Sequence, residues 1–141
     1  MKRFIFVEHT ADIKFVAFGK SIEEVFENSA MAVKKVICGK KIKEKITEEI
    51  SLHSKGKGIE GLMYDFLEEF LFLFDSKGFL LGKIKKIEIK EKLGKYSLKC
   101  KMAGDNAQNY EISSHVKAVT YNEMFVRKEG KKWISQVVID V

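Results

Sequence analysis

Six positions hold the residue types from which chemistry could be built: His9, Asp12, Asp105, Lys117, Asp140 and Val141 with its α-carboxylate. In "VEHTADIKFVAFG", Val7 to Gly19, two apolar runs read as strands, and the turn between them carries Glu8, His9, Thr10 and Asp12. An Asp in such a turn commonly accepts hydrogen bonds from its own backbone. At the other end, "QVVIDV" places Asp140 in a run otherwise fit for burial, on a strand face shared with Ile134, Gln136 and Val138. A carboxylate there needs either the frayed end of the strand or a group that wants a negative charge. If the two ends of the sheet meet, Asp12, Asp140 and the Val141 carboxylate form an all-oxygen donor set. Such a set suits a hard divalent cation, calcium, magnesium or manganese. Zinc fits less well, because no thiolate is near and only His9 offers a nitrogen.

In "HVKAVTY", strand alternation puts Lys117 on one side with Val119 and Tyr121. A lysine is ordinarily a surface residue; here it could also neutralise an acidic pocket or meet a phosphate. His53 and His115 stand alone on their segments. The chain shows no Gly-rich phosphate loop and no nucleophile with a base at motif spacing.

The elements that must position these residues follow from hydrophobic period. "SIEEVFENSAMAVKKVIC" sets Ile22, Val25, Phe26, Ser29, Val33, Val36 and Ile37 on one helical stripe, with Ser21 and Glu24 at capping-box spacing. Gly39 is expected to stop this helix, with Lys34 and Lys35 favourable near its end. A second helix places Leu62, Met63, Phe66, Leu67, Phe70 and Leu71 on a broad apolar stripe opposite Asp65, Glu68 and Glu69, and ends at Gly78. The remaining segments read as strands: "ITEEISLHS", "KIKKIEIKEKL", "YSLKCKMAG", "HVKAVTYNEMFVRK" and "KWISQVVIDV". Gly94 and Gly130 mark tight hairpins, so the last four strands are expected to form a meander or a close relative. In "YSLKCKM", Tyr96, Leu98, Cys100 and Met102 alternate with Ser97, Lys99 and Lys101, which gives one packed face and one wet face. The expected fold is α+β, a two-layer domain over residues 1–141, with two amphipathic helices packed on a mostly antiparallel or mixed sheet.

A chain of 141 residues can bury a core without disulfides or metals. Cys38 and Cys100 match no zinc spacing and read as buried thiols. The start lacks the features of a signal peptide and no apolar run is long enough to cross a membrane, so a cytoplasmic location is expected. The net charge of +6 comes mainly from Lys rather than Arg, with Glu interleaved. That balance suits a solvated face more than an Arg-based grip on phosphate.

Taken together, "HTADIKFVAFGKSIEEVFENSA", "LMYDFLEEFLFLFD", "AGD", "VKAVTY" and "WISQVVIDV" resemble the archease family over nearly the whole chain. The resemblance implies an accessory protein of the RNA ligase that joins 3′-phosphate or 2′,3′-cyclic phosphate ends to 5′-hydroxyl ends. Such a protein helps the ligase become guanylylated by GTP and turn over repeatedly in tRNA splicing and RNA repair. It would be an activator rather than an enzyme, contacting RNA at most indirectly. The resemblance also implies a divalent metal held by Asp12 and Asp140, with His9 and Thr10 shaping the turn, and it matches Lys117 to the family's VKAVTY strand. Gly104-Asp105 stands where many relatives read Gly-Glu, while Asn109 and Asn122 stand where many carry histidine. Two other readings compete. The Asp12, Asp105 and Asp140 set with Lys117 would suit a metal-dependent phosphoester hydrolase. The Lys-rich segments "KKIKEK" and "KIKKIEIKEK" would suit an RNA-binding or chaperone-like module.

Overall fold

The computed structural model describes residues 2–141. Its strands are β1 (Phe4–Val7), β2 (Ile13–Gly19), β3 (Ile46–His53), β4 (Phe79–Lys92), β5 (Lys95–Asn106), β6 (Ala118–Glu129) and β7 (Lys132–Asp140). Helix α1 (Ile22–Ile37) follows β2, and α2 (Gly58–Lys77) lies between β3 and β4. This is the α+β arrangement that the periodicities indicate. The strands divide between two antiparallel sheets, ordered β1-β2-β7-β6 and β3-β5-β4.

The two C-terminal hairpins therefore do not form one meander. Each closes on the turn its glycine marks, with Leu93 (φ 54°) and Gly94 (φ 77°) joining β4 to β5. Positive φ at both central residues gives the turn a twist that matches its strands. Between the hairpins the chain leaves the sheet at Asn106, makes one 3-10 turn over Ala107–Asn109, and runs without regular structure past the end of α1. There the Ser113 amide donates to the Ile37 carbonyl at 2.7 Å. Alternation within a strand cannot register this switch of sheets, because both hairpins have one dry face.

Each helix serves both sheets. Helix α1 packs on β2 and β7 of the first and β4 of the second, while α2 packs on β6 of the first and on all three strands of the second. Val25, Phe26, Val33, Leu62, Met63, Phe66 and Leu67 are accordingly buried, with Phe66 tilted against Phe26 and edge-on to Phe70. Helix α1 begins as its sequence requires: the Glu24 amide donates to Ser21 Oγ at 3.1 Å. Its end differs from expectation. Cys38 caps it in an extended conformation (φ −152°), its amide donating to the Lys34 carbonyl, and Gly39 adopts no left-handed geometry. The chain needs no reversal there, since it runs on to bury Ile42. Gly78 does end α2, at φ 66°.

Candidate functional site

The β2–β7 ladder brings the two chain ends together. Its last pair is Ile13 with Ile139, which brings Asp12, one residue before β2, to the end of β7 that carries Asp140. On the other side of β7, Asp140 pairs with Ala118. Both carboxylates are half-buried. The core-facing residues of β2 are Phe15 and Ala17, both fully buried, so Lys14 belongs to the opposite, outer face of this sheet, while Asp12 lies in the loop just before the strand. The loop that delivers Asp12 holds Ala11 at φ 64°. A left-handed alanine costs free energy, which the flanking strands must offset to hold the turn.

Lys117 precedes β6 rather than lying within it, and its side chain is exposed. Its amide donates to the Asp140 carbonyl at 2.8 Å, so its backbone fixes the end of β7. Val141, just beyond β7, is half-buried. Asp105 lies in the other sheet, on β5, and is buried. Tyr110 donates its hydroxyl to Asp105 Oδ2 at 2.8 Å, and the Asn106 amide and Asn109 Nδ2 donate to Oδ1 at 2.8 and 3.4 Å. The Tyr110 bond, then that of the Asn106 amide, hold the Asp105 carboxyl below the usual carboxylate range. Asp105 thus pins the exit from β5, and Tyr110 extends the chain of bonds by accepting from the Lys43 amide at 2.9 Å.

His9 takes a different partner from Asp12. Its Nε2 is 2.9 Å from Glu123 Oε2, and Lys14 Nζ donates to Glu123 Oε1 at 3.1 Å. Glu123 reaches them from an irregularity in β6: Thr120 pairs with Val138 and Phe125 with Gln136, so four residues of β6 face the single Val137. The bulge folds over the outer face. Val138, on that face with Asp140, is fully buried, and Gln136 Nε2 donates to the Glu123 carbonyl at 2.7 Å. Glu123 itself sits at φ 54°. The bond from His9, then that from Lys14, draws its carboxyl below the usual range. Two further contacts tie β6 to α2: Glu68 Oε2 accepts from the Val119 amide at 2.9 Å, and Tyr121 stacks on Tyr64 with centroids 4.3 Å apart.

Lys14 and Glu123 were not visible as site residues in the sequence. The signal present was the break of alternation at Tyr121-Asn122-Glu123, where two polar residues follow one another; the structure exposes all three, at a bulge. Among the described residues, no three His, Cys, Asp or Glu side chains converge as a metal-holding cluster. Asp12 and Asp140 fit a hard cation in donor type, and further oxygens would have to come from main chain or water. Asp12 also lines a groove of about 480 Å³, together with Phe6, Val7, His9, Ile13, Lys35 and Val36.

Two antiparallel sheets that share two helices make a small α+β scaffold in which β2 and β7 bring the two ends of the chain together. Residues 4–141 match the model of the Archease protein family (MTH1598/TM1083). The chain is 38% identical to the protein archease of Methanosarcina mazei over 99% of this chain and 97% of that one. It is also 38% identical to that of Pyrococcus furiosus over the full length of both. Among solved structures, Methanobacterium thermoautotrophicum protein 1598 superimposes with a TM-score of 0.85 at 32% identity, covering 100% of each chain. An archease from Thermotoga maritima, described as a possible chaperone, gives 0.57 at 25% identity, covering 96% of this chain and 94% of that one. The chain belongs to the archease family.

Proposed function

We propose that this protein activates the GTP-dependent RNA ligase that joins 3′-phosphate or 2′,3′-cyclic phosphate ends to 5′-hydroxyl ends, promoting its guanylylation and repeated turnover in tRNA splicing and RNA repair. What supports this reading is membership of the family, together with a β2–β7 ladder whose last pair, Ile13 with Ile139, brings the Asp12 turn towards the end of β7. The chain acts as an accessory factor, not as an enzyme, and works in the cytoplasm; no described helix is long and apolar enough to cross a membrane. Asp12 and Asp140 are the residues that would hold a divalent cation, calcium, magnesium or manganese, with the main chain around Val141 beside them. A bound cation would concentrate positive charge where a triphosphate develops negative charge. The chain's own part is to present that acidic end rigidly: the Lys117 amide bond to Asp140 fixes β7, and Glu123 fixes the turn through His9.

The hydrolase reading has less support, because Asp105 is spent on Tyr110 and the Asn106 amide in the other sheet. The test is guanylylation of the host's own ligase in single and multiple turnover, with GTP and a divalent metal. Wild-type protein should stimulate substoichiometrically, and folded Asp12→Ala and Asp140→Ala variants should not. Equal ligase rates and turnover with and without the wild-type protein would overturn the reading.

A further inference from the structure

The second sheet buries one face and leaves the other to solvent. Ile50, Leu98, Cys100 and Met102 are buried on the inner face. The outer face is set by the register. Lys101 lies between Glu49 and Lys86, and Lys99 between Ser51 and Glu88. Ser97 lies between His53 and Lys90, and Lys95 pairs with Lys92. Six lysines, all exposed, therefore share this face with two glutamates. Since the whole chain carries only +6, most of its excess positive charge is gathered on one side of one small sheet.

Elsewhere, among the described residues, Lys14, Lys77 and Lys85 are in ion pairs with Glu123, Glu48 and Glu44. None of the six lysines of this face is so paired. With Glu49 and Glu88 the only carboxylates among them, the six lysines leave this face a net positive charge that is available to an external polyanion. The face is also furrowed. A groove of about 560 Å³ runs between Lys86, Glu88, Lys99 and Lys101, and one of about 430 Å³ between His53, Lys90, Lys92 and Lys95. A narrower one of about 180 Å³, lined by Glu88, Lys90, Ser97 and Lys99, shares residues with both and joins them. The furrow follows β5 from Lys101 to Lys95, about 20 Å at strand rise.

We infer that this furrow is a docking surface for single-stranded RNA, gripped through its phosphate backbone. This inference does not rest on the ligase reading. Alternate residues on one side of a strand lie about 6.7 Å apart, so Lys99 and Lys101 on β5 and Lys90 and Lys92 on β4 have a spacing comparable to that of phosphates along an extended nucleic-acid strand. Between them, Ser51 and Ser97 provide hydroxyls that accept from the 2′-hydroxyl donors of ribose, donors that a carboxylate-only acidic peptide lacks. A membrane surface is a poorer fit, because the one strongly exposed apolar side chain here is Leu93 at the hairpin tip. The rings that line the furrow are His53 and Tyr96, at its second groove; stacking on them is open to every base, so recognition is independent of sequence.

The test is fluorescence anisotropy of a labelled oligouridylate with the isolated protein, over a salt series from about 50 to 300 mM. Neutralising about five phosphates predicts a slope of about −3.5 in log affinity against log salt. The triple variant Lys86→Gln, Lys99→Gln, Lys101→Gln should bind at least about tenfold more weakly, with a slope shallower by about 2. The corresponding Lys→Arg triple should bind as wild type does, which separates loss of charge from loss of fold. A control triple, Lys40→Gln, Lys41→Gln, Lys43→Gln, removes the same net charge off this sheet and should leave binding unchanged. Absence of RNA binding would overturn the inference, as would equal loss in the control triple. Equal affinity for polyglutamate or for phosphatidylserine vesicles would overturn it as well.

Discussion

His9 and Glu123 are 114 residues apart in the chain and 2.9 Å apart in space. The contact joins the turn that carries Asp12 to the bulge of β6, and Lys14 shares the same carboxylate. His9 Nδ1 is buried without a partner, so Nε2 is the ring nitrogen that holds the turn in place.

Glu123→Gln should loosen the bulge. Its carboxyl is drawn below the usual range by its bonds to His9 and Lys14, so the folded state binds this proton less readily than the unfolded chain. The stabilising effect is therefore complete above the ordinary Glu range near pH 4.5 and is lost as pH falls through the lowered value. Amide exchange of residues 121–125 in wild type should accelerate in that acid window. In the Gln variant exchange should already be fast at neutral pH, with no acid step from this contact.

Asp12→Asn and Asp140→Asn should abolish stabilisation by divalent cations. A cation held at about 100 times its dissociation constant adds about 2.7 kcal/mol to a folded protein. Melting of wild type should therefore shift upward with added calcium, magnesium or manganese and return on chelation. Either variant should melt at one temperature throughout.

Asp105→Asn should cost stability without touching the acidic pair. The bonds from Tyr110 and the Asn106 amide favour the ionised carboxylate, so wild type gains stability above the ordinary Asp range and loses it as pH falls through the lowered value. Denaturation curves of wild type and variant should differ at neutral pH and converge in acid.

Gly104→Ala should be among the most damaging small substitutions. An added Cβ would lie 2.0 Å from the Leu80 carbonyl oxygen across the β4–β5 ladder, and backbone on both sides prevents an easy shift. A loss of about 2–4 kcal/mol is expected from urea denaturation.

Native protein should resist thiol reagents at mildly alkaline pH. Burial, and then the charge of Glu27, push the Cys100 thiol up to about 12, and both cysteines are free and buried. Labelling should follow the rate of opening, not that of thiol chemistry.

Much of this was legible from local pattern. The helical stripes, the Ser21 cap, the end of α2 at Gly78 and the wet and dry faces of "YSLKCKM" depend on periods of 3.6 and 2 and on caps, which are properties of neighbouring residues. The isolation of Asp12 and Asp140 was legible too, because a carboxylate at the edge of an apolar run stands out in one dimension. Bringing the Asp12 turn towards Asp140 needed the β2–β7 ladder, and Asp105 showed why proximity could not be assumed. It looks equivalent to the other two in the sequence, yet the ladder carries it into the second sheet.

The sequence alone determined the element types, the buried stripes and the kinds of residue available for chemistry, since these follow from side-chain polarity and short-range backbone preference. Tertiary structure decided the division of the strands into two sheets, the bulge that brings Glu123 over His9 and Lys14, and the gathering of unpaired lysines on one furrowed face. Each of these depends on contacts between segments far apart in the chain. Their free energy belongs to the packed whole and is not expressed in any short window of residues.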